Sequence, residues 1–176
     1  MAVKRAETKK EKLIRLPIQL CAATVLFVVD LWIKAAVKGS GLTEKAKNLI
    51  SGVLSLTFTK NTGAAWGIFR DKPQLLSFFV AAALLAIAVY SVIGRSNRIV
   101  QVCLTMIFAG GAGNLADRIV NGYVTDYISC DFIDFPVFNF ADCLIVVGCI
   151  LLMVYLIYDT VREMKTKKTP AEQQNG

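Results

Sequence analysis

The sequence predicts an all-α membrane protein with four transmembrane helices, a small extracytoplasmic β-rich cradle and a short interfacial helix. Three observations carry that expectation. Apolar residues fill 55% of the 176 positions and charged ones only 19%, where a soluble domain carries about a quarter charged residues. Mean hydropathy is +0.54. The apolar residues gather into four runs, each near the roughly 20 residues a helix needs to cross a bilayer.

The length suits one domain, 1–176, with spans at about 16–37, 75–93, 99–117 and 140–158 between basic tails at 1–15 and 159–176. The first run, Leu16 to Val37, follows a basic leader like that of a signal peptide. It is too long for a signal-peptide core, and no small-x-small cleavage site follows. Leu20 before Cys21 also fails a lipobox, so the run is an uncleaved helix. The segment 38–74 holds the alternating stretch Gly52 to Thr59, which predicts a strand or hairpin. Glu44 to Ile50 before it is expected to form a brief surface helix. The second run, Leu75 to Ile93, opens behind Pro73, a residue suited to a helix start. A tight basic turn, Gly94 to Arg98, leads to the third run from Ile99. The fourth runs from Phe140 to about Tyr158.

Charge placement sets the orientation. Lys4, Arg5, Lys9, Lys10, Lys12 and Arg15 precede the first run, and Arg162, Lys165, Lys167 and Lys168 follow the last. By the positive-inside rule both ends are cytoplasmic. The basic residues of 38–74 oppose that orientation in part. The net charge of +7 therefore reports topology. No basic stripe with interleaved aromatics points to nucleic acid.

The chain has no histidine, and its five cysteines (Cys21, Cys103, Cys130, Cys143, Cys149) show no CxxC spacing. That pattern argues against a zinc site and a His-assisted nucleophile; no metal or cofactor is expected. The conspicuous polar residues instead share one depth. Asp30 and Lys34, four apart on one helix face, lie in the outer half of the first span. They pair with each other, or Lys34 snorkels to the interface. Asn114, Asp117 and Arg118 end the third span, Asp126 follows in the loop, and Asn139 with Asp142 opens the fourth. Intramembrane ionisable residues mark functional sites by default. A clustered pair of aspartates suggests acid–base chemistry, because two close carboxylates cannot both ionise cheaply. Spacing leaves the choice of pair open, with Asp117, Asp131 and Asp134 as competitors. A small transporter is the rival reading, but the polar residues collect at one face instead of crossing the bilayer, and no inverted repeat is visible.

Five blocks resolve the choice by resemblance. Asp30 and Lys34 form a D-xxx-K pair. Asn61-Thr62-Gly63-Ala64-Ala65-Trp66, Gly113-Asn114-Leu115-Ala116-Asp117-Arg118, Gly122-Tyr123-Val124-Thr125-Asp126-Tyr127 and Phe135-Pro136-Val137-Phe138-Asn139-Phe140-Ala141-Asp142 follow in order. The chain, from about 16 to 158, resembles bacterial lipoprotein signal peptidase, also called signal peptidase II. That resemblance implies an aspartic endopeptidase of the bacterial cytoplasmic membrane. It would act at the extracytoplasmic face, cleaving diacylglyceryl-modified prolipoproteins just before the lipid-bearing cysteine. It implies Asp126 and Asp142 as the catalytic pair, and Asn61, Gly63, Asn114, Arg118, Asn139 and Ala141 as residues that line or support the site. Trp66 and Tyr127 stand where the family often has phenylalanine. The expected partners are prolipoprotein substrates and membrane lipids, and the expected state is a monomer.

Overall fold

Each of the four apolar runs forms one helix, and the helices outlast the runs. The computed structural model describes residues 9–40, 42, 46–63, 73–94 and 97–172. The elements are α1 (Lys9–Gly39), β1 (Lys47–Ile50), β2 (Leu54–Asn61), α2 (Pro73–Ile93), α3 (Arg98–Asn121), β3 (Val124–Cys130) and α4 (Phe140–Glu172). All four helices are long and apolar enough to cross a membrane. α1 starts seven residues before the expected Leu16, and α4 continues past Tyr158, because Lys, Arg and Glu are good helix formers once the apolar stretch has set the helix. α3 starts where the side chain of Asn97 accepts the Ile99 N–H at 2.8 Å. It runs past residue 117 to Gly122, whose φ of 77° is a left-handed cap that glycine adopts without a Cβ penalty.

α3 is the central helix and packs against α1, α2 and α4. Its most apolar window is 44% buried, against 6% for α2. That explains its lower mean hydropathy, 1.6 against 2.5: a helix that faces protein can carry glycines and polar side chains. α2 instead exposes Phe78, Phe79, Leu85 and Val89, an apolar surface suited to lipid. At the end of the bundle away from the sheet, Gln19 Nε2 donates to Gln101 Oε1 at 2.7 Å and Arg15 Nη2 to the Ser91 carbonyl at 3.0 Å. Such polar contacts tie helices where packing against lipid gives no net drive.

The strands form one antiparallel sheet in the order β1-β2-β3. Of the strand or hairpin expected over Gly52 to Thr59, Leu54 to Thr59 lie in the single strand β2, which pairs with β1 before it. The expected surface helix over 44–50 is not what the described part of that segment forms. Lys47–Ile50 are strand β1, and 43–45 lie outside the described residues. The β-branched and aromatic neighbours across the hairpin outweigh the helix-forming lysines. β2 and β3 pair from Leu54↔Cys130 to Asn61↔Val124, with a bulge between Leu56 and Thr59. The bulge falls beside Asp126, which pairs with Thr59, and bulges re-aim side chains next to active sites. Asp126 therefore stands in a strand, not in the expected loop. Tyr123 to Ile128 carried the signal for it, a run of β-branched and aromatic residues.

Candidate active site

The site is built around the start of α4. The first amides of a helix have no partner within it, and here that end is buried between β3 and α3, so each amide needs another acceptor. Phe138 pairs with Ile128, its N–H donating to the Ile128 carbonyl at 3.0 Å, which brings the next residue, Asn139, beside Asp126. Asn139 caps the helix: its Oδ1 accepts the Asp142 N–H at 2.9 Å, and Asp142 Oδ2 accepts the Asn139 N–H at 3.1 Å. This reciprocal pattern is a capping box in which Asp142 supplies the third-position carboxylate. The Phe140 N–H donates to the Tyr127 hydroxyl at 3.1 Å, and the Ala141 N–H to Asp30 Oδ1 at 3.1 Å.

Asparagine amides hold the two carboxylates. Asn139 Nδ2 donates to Asp126 Oδ1 at 2.6 Å and to Asn114 Oδ1 at 3.2 Å. Asn61 Nδ2 donates to Asp126 Oδ2 at 2.9 Å, and Asn114 Nδ2 to Asp142 Oδ1 at 2.8 Å. Asn139 thus touches both aspartates, one through its side-chain nitrogen and the other through its oxygen and backbone. Asp126 is 2% exposed. Burial pushes its carboxyl up, the hydrogen bond from Asn61 opposes that, and the nearby charge of Asp142 adds to it, leaving it at about 6. The Tyr127 hydroxyl is likewise pushed up by burial, to about 12, and stays neutral.

Behind the pair lies a buried charge cluster. Lys34 Nζ meets Asp30 Oδ2 at 2.7 Å and Asn114 Oδ1 at 2.8 Å. Lys34 is 1% exposed, so it pairs inside the bundle and does not snorkel. Gly113 lets α3 approach this pair closely, since a Cβ there would collide with Asp30 Oδ2. Asp117 is an ion-pair partner and a strand anchor, but not of its neighbour Arg118. Its Oδ1 meets Lys38 Nζ at 3.1 Å and its Oδ2 accepts the Thr125 N–H at 2.8 Å. Arg118 Nη2 donates to the Gly63 carbonyl at 2.8 Å, and the Gly63 N–H to Asn61 Oδ1 at 3.0 Å. These bonds tie the end of β2 to α3. Trp66 and the rest of its block after Gly63 lie outside the described residues.

A groove of about 860 Å³ opens onto both aspartates. Asn61, Gly63, Asn114 and Arg118 line its polar side, and Leu76, Val80, Val146 and Val147 its apolar side between α2 and α4.

The structure brings together the ten residues assigned to the site from the sequence. Asp30, Lys34, Asn61, Gly63, Asn114, Arg118, Asp126, Asn139, Ala141 and Asp142 form one network. Ala141 enters it through its backbone N–H; its side chain is wholly buried. Asp131 and Asp134 are exposed, and Asp131 accepts the Ser55 hydroxyl at 2.7 Å, away from the network. Cys130 and Cys143 are free thiols. The sequence did not reveal the hydroxyl of Tyr127 as an acceptor at the helix start, because phenylalanine and tyrosine are interchangeable in pattern and differ only where a donor faces them.

Four membrane-length helices with a coupled carboxylate pair beside a partly apolar groove define a membrane-embedded protein of the aspartic peptidase class. The sequence profile of the family described as signal peptidase (SPase) II matches residues 22–158, and the chain belongs to that family. It is 34% identical over 157 residues to the lipoprotein signal peptidase of Enterococcus faecalis, covering 88% of this chain and 92% of that protein. Over 145 residues it is 34% identical to the lipoprotein signal peptidase of Lactiplantibacillus plantarum, covering 81% and 95%. Its fold is similar to a bacterial membrane enzyme solved by the in meso method at 2.3 Å resolution. The TM-score is 0.78 at 29% identity, over 83% of this chain and 91% of that one. A second such structure, at 1.9 Å resolution, gives 0.75 at 28% identity over 82% and 96%.

Proposed function

We propose that this chain removes the signal peptide of lipoprotein precursors with Asp126 and Asp142 as its catalytic pair, cutting just before a diacylglyceryl-modified cysteine. Removal of lipoprotein signal peptides is the activity of its family. The assignment of the pair rests on one observation: a single residue, Asn139, hydrogen-bonds both of the carboxylates that line the groove. Asp142, half-buried where Asp126 is buried, is the base that takes a proton from water as the water oxygen bonds to the scissile carbonyl carbon. Asp126, buried and with its carboxyl raised to about 6, carries the proton and gives it to the carbonyl oxygen. As the tetrahedral intermediate collapses, Asp142 passes its proton to the leaving nitrogen and Asp126 recovers one from the hydroxyl. The groove fits such a substrate: backbone-binding amides face its polar side, and Leu76, Val80, Val146 and Val147 offer acyl chains an apolar wall. No metal and no cofactor enters this chemistry.

The basic tails support a bacterial inner-membrane protein with both termini on the cytoplasmic side, an orientation in which the sheet and the pair face the extracytoplasmic side. Our reading of the working unit is a monomer folded as a single domain, supported by the network lying within one chain. The test is cleavage of a diacylglyceryl prolipoprotein by detergent-solubilised protein. Wild type cleaves it, and an unlipidated precursor is spared. Cleavage of both alike would overturn the substrate assignment.

A further inference from the structure

Lys34 has no part in the proton transfers above, yet it is the most enclosed cation of the site, and both of its short contacts lead back to Asp142. Its Nζ donates to Asn114 Oδ1 at 2.8 Å, and Asn114 Nδ2 donates to Asp142 Oδ1 at 2.8 Å. It also meets Asp30 Oδ2 at 2.7 Å, and Asp30 Oδ1 accepts the Ala141 N–H one residue before Asp142 at 3.1 Å. The ring Ala141–Asp30–Lys34–Asn114–Asp142 thus begins and ends in the first turn of α4.

We propose that Lys34 is a positioning residue of the peptidase: it locks the Asn114 amide in the one orientation that presents an N–H to Asp142. The proposal deepens the assignment of the catalytic pair and rests on it. An ammonium has three donors and no acceptor, so only the oxygen of an amide can face it. The two ends of an asparagine amide have nearly the same shape, and hydrogen-bond partners decide which way it points. The other donor to Asn114 Oδ1 is Asn139 Nδ2 at 3.2 Å, a longer contact than the one that nitrogen makes to Asp126 at 2.6 Å. With Lys34 gone, only that longer contact and the charge on Asp142 itself oppose a flip that sets Asn114 Oδ1 against Asp142 Oδ1. Two acceptors face to face tolerate each other only when Asp142 holds a proton, and a protonated Asp142 cannot take one from water.

Other charged or titratable groups also face Asp142: Asp126 and Tyr127 from β3, Arg118 from α3 and Cys143 on α4. A test must therefore change the amide and leave the net charge alone. Replacing Asp30 and Lys34 together, Asp30→Asn/Lys34→Met, removes one charge of each sign. It strands neither charge in the bundle, and the amide introduced in place of the Asp30 carboxylate keeps an oxygen for the Ala141 N–H. The readout is the pH dependence of kcat/KM on a diacylglyceryl prolipoprotein in detergent, for wild type, Asp30→Asn, the double variant and Lys34→Arg. The midpoint of the acid limb does not depend on how much enzyme folds, and it belongs to the coupled pair.

In the double variant the acid limb moves up by about one pH unit, a loss of roughly tenfold on that limb that recovers at higher pH. Asp30→Asn, which retains Lys34, leaves the limb no higher than in wild type. Lys34→Arg, which keeps a cationic donor towards Asn114, leaves it in place, and this variant still decides the matter where the double fails to fold. A double-variant limb coincident with that of wild type overturns the proposal, as does an upward shift in Asp30→Asn or in Lys34→Arg. Turnover surviving in Asp142→Asn would instead end the assignment of the pair itself, so the two failures are distinguishable.

Discussion

Asn139 has two tasks, and Asn139→Ser separates them. Serine caps helices about as well as asparagine, so its hydroxyl can replace Oδ1 as acceptor for the Asp142 N–H. Serine has no counterpart for Nδ2, which donates to Asp126 at 2.6 Å and to Asn114 at 3.2 Å. Asp126 becomes charged as it gives up its proton, and a hydrogen bond to a charged group contributes about 1.5–3 kcal/mol, a neutral one about 0.5–1.5 kcal/mol. Losing both costs roughly 2–4.5 kcal/mol if all of it is felt in the transition state. At about 1.4 kcal/mol per decade, kcat/KM should fall by roughly 30- to 2,000-fold. Asn139→Ala loses the cap as well and should cost about 1 kcal/mol more in stability. The assay is cleavage of a diacylglyceryl prolipoprotein, with thermal melting of the same detergent preparations. Asn139→Ser with near-normal kcat/KM would refute the argument, reducing Asn139 to a helix cap whose contact with Asp126 is incidental.

Asp126→Asn and Asp142→Asn should each remove essentially all cleavage while still inserting. The double variant should be little worse, because groups that act as a unit are non-additive. Asp131→Asn and Asp134→Asn, exposed and away from the network, should keep substantial activity, and a dead control beside an active Asp126→Asn would show the wrong carboxylates were chosen. The chain lacks histidine and CxxC spacing; EDTA should therefore leave turnover intact, and a variant with all five cysteines replaced by Ala or Ser should remain active. Metal-restored activity after chelation would sink the aspartic mechanism. Because the folded Asp126 carboxyl is raised from 3.8 to about 6, the folded state holds its proton over a range where the unfolded state has lost it. Its contribution to stability is thus full below pH 3.8 and is lost as pH rises through 6, worth up to roughly 3 kcal/mol. Thermal melts of wild type minus Asp126→Asn should show that loss, and a difference that rises with pH there would contradict it.

The helices were legible because their length and apolarity are set by the bilayer, a constraint written into every residue of each run. Their ends were less so. Nothing apolar marks where Lys9 begins or Glu172 ends a helix, and α3 runs past the expected residue 117 to its cap at Gly122. The sheet was half legible: β2 alternates, but β1 is four exposed residues whose strand state comes from its neighbour and not from its own pattern. β3 was read as loop because it lies between two spans, although its β-branched composition was visible. At the site, residue types and their common depth pointed to one region, and the Asp30–Lys34 spacing gave their pairing. The resemblance supplied the choice of aspartates. No sequence pattern reveals that Lys34 reaches Asn114 across 80 positions, or that Tyr127 caps an amide of α4. Those contacts depend on how four elements meet.

The helix start and the site are one object, and this governs how its variants must be read. Every amide of residues 139–142 has a partner from the network: Asp142, Tyr127, Asp30 and Asn139 in turn. A buried helix end left unsatisfied costs free energy for each orphan group, so the residues that finish α4 also fix where its carboxylate points. Stability and geometry must then fall together for Asp30, Lys34 and Asn139, and a loss of activity in them is not by itself a sign of chemistry. Asp126 is different. It accepts from Asn61 and Asn139 but finishes no helix, and its buried carboxyl costs stability when ionised. Replacing it with asparagine should therefore gain stability relative to wild type as pH rises through about 6 while abolishing cleavage, a pH-dependent gain that a merely structural residue would not produce.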